Sequence, residues 1–177
     1  MLAHLRRSVL LAVLFAAVCG LLYPLAVTGV ATWLFPAQAR GSIGPDGASL
    51  IGQAWTGPRW FHGRPDPDNP IASGATNLGP LSRALAADVA ANLRAWHRLG
   101  VQHPTADLLV GSGSGLDPDI SPRSAYVQVE MVARARHLSV ARVRRLVRSQ
   151  VQPPEWGFLG APVVNVLQLN QRLARLG

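Results

Sequence analysis

From Ser8 to Ala39 the chain carries no charged side chain, and the strongly apolar part runs from Val9 to Phe35. No other feature limits the fold as much. As a helix these 27 residues extend about 40 Å, more than the ~30 Å hydrocarbon core of a bilayer. A single transmembrane helix is therefore predicted over residues 9–35, with tilt or a kink at Pro24 absorbing the excess length. Trp33 and Phe35 fall where an interfacial aromatic belt belongs. A cleaved signal peptide competes with this reading, because Ala37-Gln38-Ala39 has the A-x-A form, but a signal core is only ~7–15 residues long.

Orientation follows from the flanking charges. Arg6, Arg7 and the terminal amine lie on one side, and Arg40 and Asp46 on the other. The positive-inside rule puts residues 1–8 in the cytoplasm and everything after the span outside. Within the span every fourth position is small or proline: Ala12, Ala16, Gly20, Pro24, Thr28 and Thr32. Helices in lipid associate through close packing of small residues, so Ala16, Gly20 and Thr28 are candidates for docking a partner helix.

All 17 basic residues are Arg, against 9 acidic ones, and no lysine occurs. A Walker-type phosphate loop is thereby excluded, since it needs its Lys. The lone Cys19 excludes an intrachain disulfide and any multi-cysteine metal site.

Residues 36–48, rich in Gly, Pro, Ala and Ser, read as a linker, and 49–177 as one compact domain. Two short strands are predicted within Ser49–His62, then a long Pro- and Gly-rich loop from Gly63 to Pro80. Leu81, Leu85, Val89, Leu93, Trp96 and Leu99 repeat at helical spacing, with Gly100 as a stop. A strand over Asp107–Val110 leads into the run Gly111-Ser112-Gly113-Ser114-Gly115. Ser121 with Pro122 opens a helix reaching about His137, with Ala125, Val129, Val132 and Ala133 inward. Ser139 caps a further helix bearing Val140, Val143, Val147 and Val151, which Pro153-Pro154 ends. A short strand at Val163-Val164 precedes a final helix with Val166, Leu169, Leu173 and Leu176. The fold class is α+β, with about four helices and a few short strands beyond the transmembrane helix.

The chemistry-bearing motifs are weak. The glycine run fails the dinucleotide pattern at Leu116 and the nucleophile elbow at Gly113, so it reads as a turn with positive φ at several glycines that also contacts a partner. Asp117 and Asp119, with Asp66 and Asp68 in another loop, lack a calcium-loop pattern and read as Asx-turns and caps. Arg134, Arg136, Arg142, Arg144, Arg145 and Arg148 lie on two helices joined by a turn. That arrangement allows a membrane-tethered helix-turn-helix DNA-binding protein, but only with the domain in the cytoplasm. A membrane-anchored extracytoplasmic hydrolase is the other alternative, and no catalytic constellation can be assigned for it.

Five segments in order carry a resemblance. They are Trp60-Phe61-His62-Gly63-Arg64-Pro65, Ala72–Pro80, Ser112–Pro122, the helix around Tyr126-Val127-Gln128-Val129, and Leu159–Asn170. With the N-terminal span they make nearly the whole chain similar to the C subunit of the Kdp-type potassium-transporting ATPase of bacteria and archaea. Departures occur at Ala75, Asp119, Glu130-Met131 and Pro154-Glu155-Trp156-Gly157, where the family usually has Gly, His, Pro-Arg and Gly-Arg.

The resemblance implies an accessory, non-catalytic subunit of a high-affinity ATP-driven potassium importer in the bacterial plasma membrane. It assembles with a potassium-conducting subunit and a P-type ATPase subunit, and acts as a catalytic chaperone raising the latter's ATP affinity. ATP and potassium belong to the complex; this chain itself is expected to hold no cofactor, metal or nucleic acid. Membrane lipid is the remaining partner. Candidate contact residues are Asn77, Leu78, Ser112, Gly113, Ser114, Gly115, Asp117 and Asn165.

Overall fold

A computed structural model describes residues 1–45, 47–66 and 73–176. Asp46 of the linker, Asp68 and Ala72 of the proline-rich loop, and the C-terminal Gly177 lie outside the described residues. The chain divides into two compact units, Met1–Pro45 and Asp46–Gly177.

In the first unit, α1 (Leu2–Ala17) passes through a π-turn (Val18–Leu22) into α2 (Tyr23–Leu34), followed by a single turn, α3 (Pro36–Ala39), and an extended pair of residues, β1 (Ile43–Gly44). Leu2–Leu34 is long and apolar enough to cross a membrane, and none of it is buried within the chain. The helix thus starts before the apolar run and includes Arg6 and Arg7. The π-turn ends two residues before Pro24, whose missing N–H and bulky ring disfavour an ordinary α-turn in the turn that precedes it.

The second unit opens with β2 (Gly47–Ala48). The two strands expected within residues 49–62 do not form; the segment is irregular. At Phe61 and His62 the backbone partners are side chains instead of a neighbouring strand. The Asn170 amide accepts from the Phe61 N–H at 2.9 Å and donates to the Phe61 carbonyl at 2.8 Å. Gln128 treats His62 in the same way, at 2.8 and 3.0 Å. A carboxamide presents the same donor–acceptor pair as a peptide, so two buried amides replace a strand and satisfy the backbone around the fully buried Phe61.

Helix α4 (Arg83–Arg98) begins at Ser82, whose hydroxyl accepts from the Leu85 N–H. Trp96 is its one buried residue; Leu85, Val89, Leu93 and Leu99 are half-buried, and Leu81 is outside the helix and exposed. The expected strand over 107–110 is a 3-10 turn, Ala106–Leu108. Asp107 there accepts from the Ser121 N–H and the Ser124 hydroxyl, and Trp96 Nε1 donates to the Leu108 carbonyl. These contacts bind the segment as a corner and leave it no ladder.

The helix capped by Ser121 breaks into α5 (Pro122–Val127) and α6 (Val129–Ala135). Gln128 marks the break, and its side chain also donates to the Ser124 carbonyl. Helix α7 (Val140–Gln150), capped by Ser139, buries Val143 and Val147 and leaves Val140 exposed. Helix α8 (Val166–Ala174) buries Val166, Leu169 and Leu173. These helices pack around one core with Phe61, Leu108, Ile120, Val129 and Val132. A two-residue antiparallel ladder joins β3 (Asp119–Ile120) to β4 (Val164–Asn165), in register Asp119↔Asn165 and Ile120↔Val164. β3 falls in a segment expected to be loop. Among the described residues, five helices and a few short strands keep the unit in the α+β class.

Candidate functional site

The two loops singled out in the sequence meet. Ser114 O accepts from the Gly74 N–H at 2.7 Å and from the Ser73 hydroxyl at 3.0 Å. A Cβ on Gly115 would lie 2.7 Å from the Gly74 carbonyl oxygen, and its φ is +69°. Only glycine allows this approach.

Asp66, at the base of the proline-rich loop, organises the Ser112–Asp117 turn. Its Oδ1 accepts from the Ser112 N–H at 2.5 Å, and its Oδ2 from the Ser112 hydroxyl at 2.7 Å and the Asp117 N–H at 3.1 Å. The Ser112 hydroxyl also accepts from the Gly115 N–H at 2.8 Å. Of the three glycines in the run only Gly115 has positive φ, so the expectation of several such glycines is corrected. A carboxylate, more than glycine backbone freedom, shapes this turn. Arg64 closes it from behind through Nη2, which donates to the Gly111 carbonyl at 3.0 Å. Among the described residues its buried Nε finds no hydrogen-bond partner.

The result is a fixed turn whose tip, Gly113 and Ser114, is exposed while Ser112 and Gly115 are buried beneath it. Asn77 is exposed with φ +55°, and Leu78 beside it is half-buried. Asp117 is half-buried, and its Oδ1 accepts from the Asp119 N–H at 3.0 Å, the Asx-turn expected of it. Asn165 is buried. Its Nδ2 donates to Ser49 O and Asp119 Oδ1, and its Oδ1 caps α8 at the Gln168 N–H. A cleft of about 390 Å³ flanks the turn, lined by Ile51, Gln53, Arg64, Asp66, Leu116 and Asp117.

Two carboxylates are shifted in opposite directions. Burial raises Asp119, the Asn165 amide opposes it, and neighbouring Asp117 adds to the rise. Burial also works against Asp107, but its bonds from Ser121 and Ser124 hold it down to about 2. Asp107 is not among the residues that the sequence singles out; its signal is its place before an S-P-x-S cap that leaves N–H and hydroxyl donors open. Burial lowers His62, with the bond to Gly57 O opposing. Among the described residues no group of three His, Cys, Asp or Glu is placed to hold a metal ion.

In the first unit, Ala16 lies in α1, Gly20 in the π-turn and Thr28 in α2, all exposed. A four-residue step in an α-helix overshoots a full turn by about 40°. The stripe would therefore drift around the helix. The wider π-turn rotates less per residue and takes back part of that drift.

Of the arginines in the turn-linked helices, Arg136 is engaged within the unit. Its guanidinium lies 4.2 Å from the Trp60 ring centroid, and Nε donates to the Arg59 carbonyl at 2.6 Å.

A family model described as K+-transporting ATPase, c chain, matches residues 5–175. The potassium-transporting ATPase KdpC subunit of Allorhizobium ampelinum is 50% identical, over 100% of this chain and 98% of its own length. That of Methylobacterium nodulans is 46% identical over 99% and 98%, and that of Geobacter sulfurreducens 40% over 98% of each. With its one apolar N-terminal helix and this near-complete match, the chain belongs to the KdpC family, the c chain of the K+-transporting ATPase.

Proposed function

We propose that the chain is a non-catalytic subunit that holds together the potassium-conducting and ATP-hydrolysing subunits of the complex. Residues 1–8 lie in the cytoplasm, 9–35 cross the membrane, 36–48 link, and 49–177 form a domain on the outer side. The joining of the Ser73–Gly79 and Ser112–Asp117 loops into one preformed surface carries this reading. Binding residues concentrate on loops held by a rigid core, and a turn fixed in advance loses little entropy on docking. Asn77, Leu78, Gly113 and Ser114 make the contact; Ser112, Gly115, Asp117 and Asn165 hold its shape. A photo-cross-linker at Ser114 in the assembled complex should capture another membrane subunit. Absence of any such adduct, with the complex intact, would remove the surface from the interface.

The span docks through Ala16, Gly20 and Thr28. Gly20 has open space where a Cβ would stand, so Gly20→Leu leaves this chain's own fold intact and blocks close helix approach. Normal co-purification of that variant would put the docking face elsewhere. A chaperone effect on ATP affinity requires no nucleotide contact. It requires only that this subunit bind one conformation of its partners more tightly than another. Unchanged ATP affinity in a complex lacking the chain would exclude it.

A further inference from the structure

Directly after α7 the chain forms a projecting hairpin. Gln152 and Val163 exchange backbone hydrogen bonds at 2.8 and 3.1 Å at its base. Glu155 and Leu159 exchange another pair at 3.0 and 2.9 Å near its tip. The tip is Trp156-Gly157-Phe158, with Trp156 at φ +51° and Gly157 at +84°. Trp156 is 84% exposed, Phe158 73% and Leu159 46%. A tryptophan in the left-handed region is strained, and here no burial within the chain compensates it. Adjacent exposed aromatics of this kind mark a surface that something covers.

The helix leading into the hairpin narrows the choice. Arg142, Arg144, Arg145 and Arg148 of α7 all lie on its solvent side, the first three and Arg148 alike exposed. Among the described residues none of them pairs with a carboxylate. From Ser139 to Val163 the only acidic residue is Glu155. In the sequence the second unit follows, within about a dozen residues, a helix long and apolar enough to cross a membrane. A bilayer bearing anionic headgroups supplies both halves of the complement: phosphate for the arginines and an interfacial layer that favours tryptophan and phenylalanine.

We propose that the Trp156–Leu159 hairpin dips into the interfacial layer of an anionic membrane, with α7 arginines on the headgroups. This rests on the membrane-spanning reading of Leu2–Leu34. The test uses the full chain in nanodiscs containing phosphatidylglycerol or only phosphatidylcholine, with bromine-labelled acyl chains as tryptophan quenchers. The Trp156 share of emission comes from comparison with Trp156→Phe, and that of Trp33 from Trp33→Phe. Trp156 should be quenched in the phosphatidylglycerol discs and much less in phosphatidylcholine. Arg145→Gln and Arg148→Gln should each weaken the contact about fivefold. Trp33 quenched without Trp156 would overturn the hairpin proposal alone; neither quenched would overturn the span and the hairpin together. A photo-cross-linker at Trp156 in the assembled complex that captures a protein subunit instead of lipid would also overturn it.

Discussion

Replacing Gly115 by alanine should separate the two loops of the candidate surface without disturbing the core. The new methyl would sit 2.7 Å from the Gly74 carbonyl oxygen, well inside van der Waals contact, and that neighbour is backbone. Alanine at φ +69° adds roughly 1–2 kcal/mol of left-handed strain. Moving Gly74 away stretches the bonds from its N–H and the Ser73 hydroxyl to Ser114 O, each contributing about 1 kcal/mol net. The lower entropy of unfolded alanine returns about 0.5 kcal/mol. The loop pairing should therefore weaken by about 2.5–3.5 kcal/mol, roughly two orders of magnitude in its opening equilibrium. Gly113→Ala is the control: φ is not positive there and nothing lies within 4 Å of the added methyl. Hydrogen exchange of the full chain in detergent reads the difference at the Gly74 amide. Equal protection of that amide in the two variants would refute the reasoning.

Three further outcomes follow from the same contacts. Asp66→Asn turns one acceptor oxygen into a donor facing N–H or O–H groups, and should cost about 2–3 kcal/mol in thermal unfolding of the full chain. Asn170→Ala strands both backbone groups of Phe61 in the core and should cost about 2–4 kcal/mol, whereas surface Ser149→Ala should cost under about 0.5. Acid should destabilise through Asp107. Its folded value of about 2 lies below its ordinary 3.8, so its contribution is complete above about pH 4 and lost as pH falls toward 2. Asp119 is raised and has the opposite sign, relieving part of the loss as pH falls, so Asp107→Asn should flatten the acid limb and Asp119→Asn should steepen it.

The helices are legible because their signals are local. Ser82, Ser121, Ser139 and Asn165 all cap as hydroxyl or amide residues should, though only Ser121 and Ser139 are read in that role from the sequence. The inward positions Ala125, Val129, Val132 and Ala133 are all buried. The misread segments are those whose partners lie far along the chain. Residues 49–62 have the apolar, aromatic content of strands, but Phe61 and His62 are satisfied by Asn170 and Gln128, 109 and 66 residues away. Nothing in spacing distinguishes a buried carboxamide from a surface one. The same holds for the glycine run. Its loop character is readable, but its shape depends on Asp66, 46 residues before Ser112. The helix break at Gln128 is likewise a tertiary effect: the side chain that serves His62 also holds the Ser124 carbonyl.

The most direct test of the subunit reading joins topology and partnership. A compartment reporter fused after Gly177 and a pull-down in mild detergent can be read on one preparation. The account predicts an outside C-terminus with two larger membrane subunits, the potassium-conducting and the ATP-hydrolysing, co-purifying. A cytoplasmic C-terminus, or an outside chain that purifies alone, would contradict it.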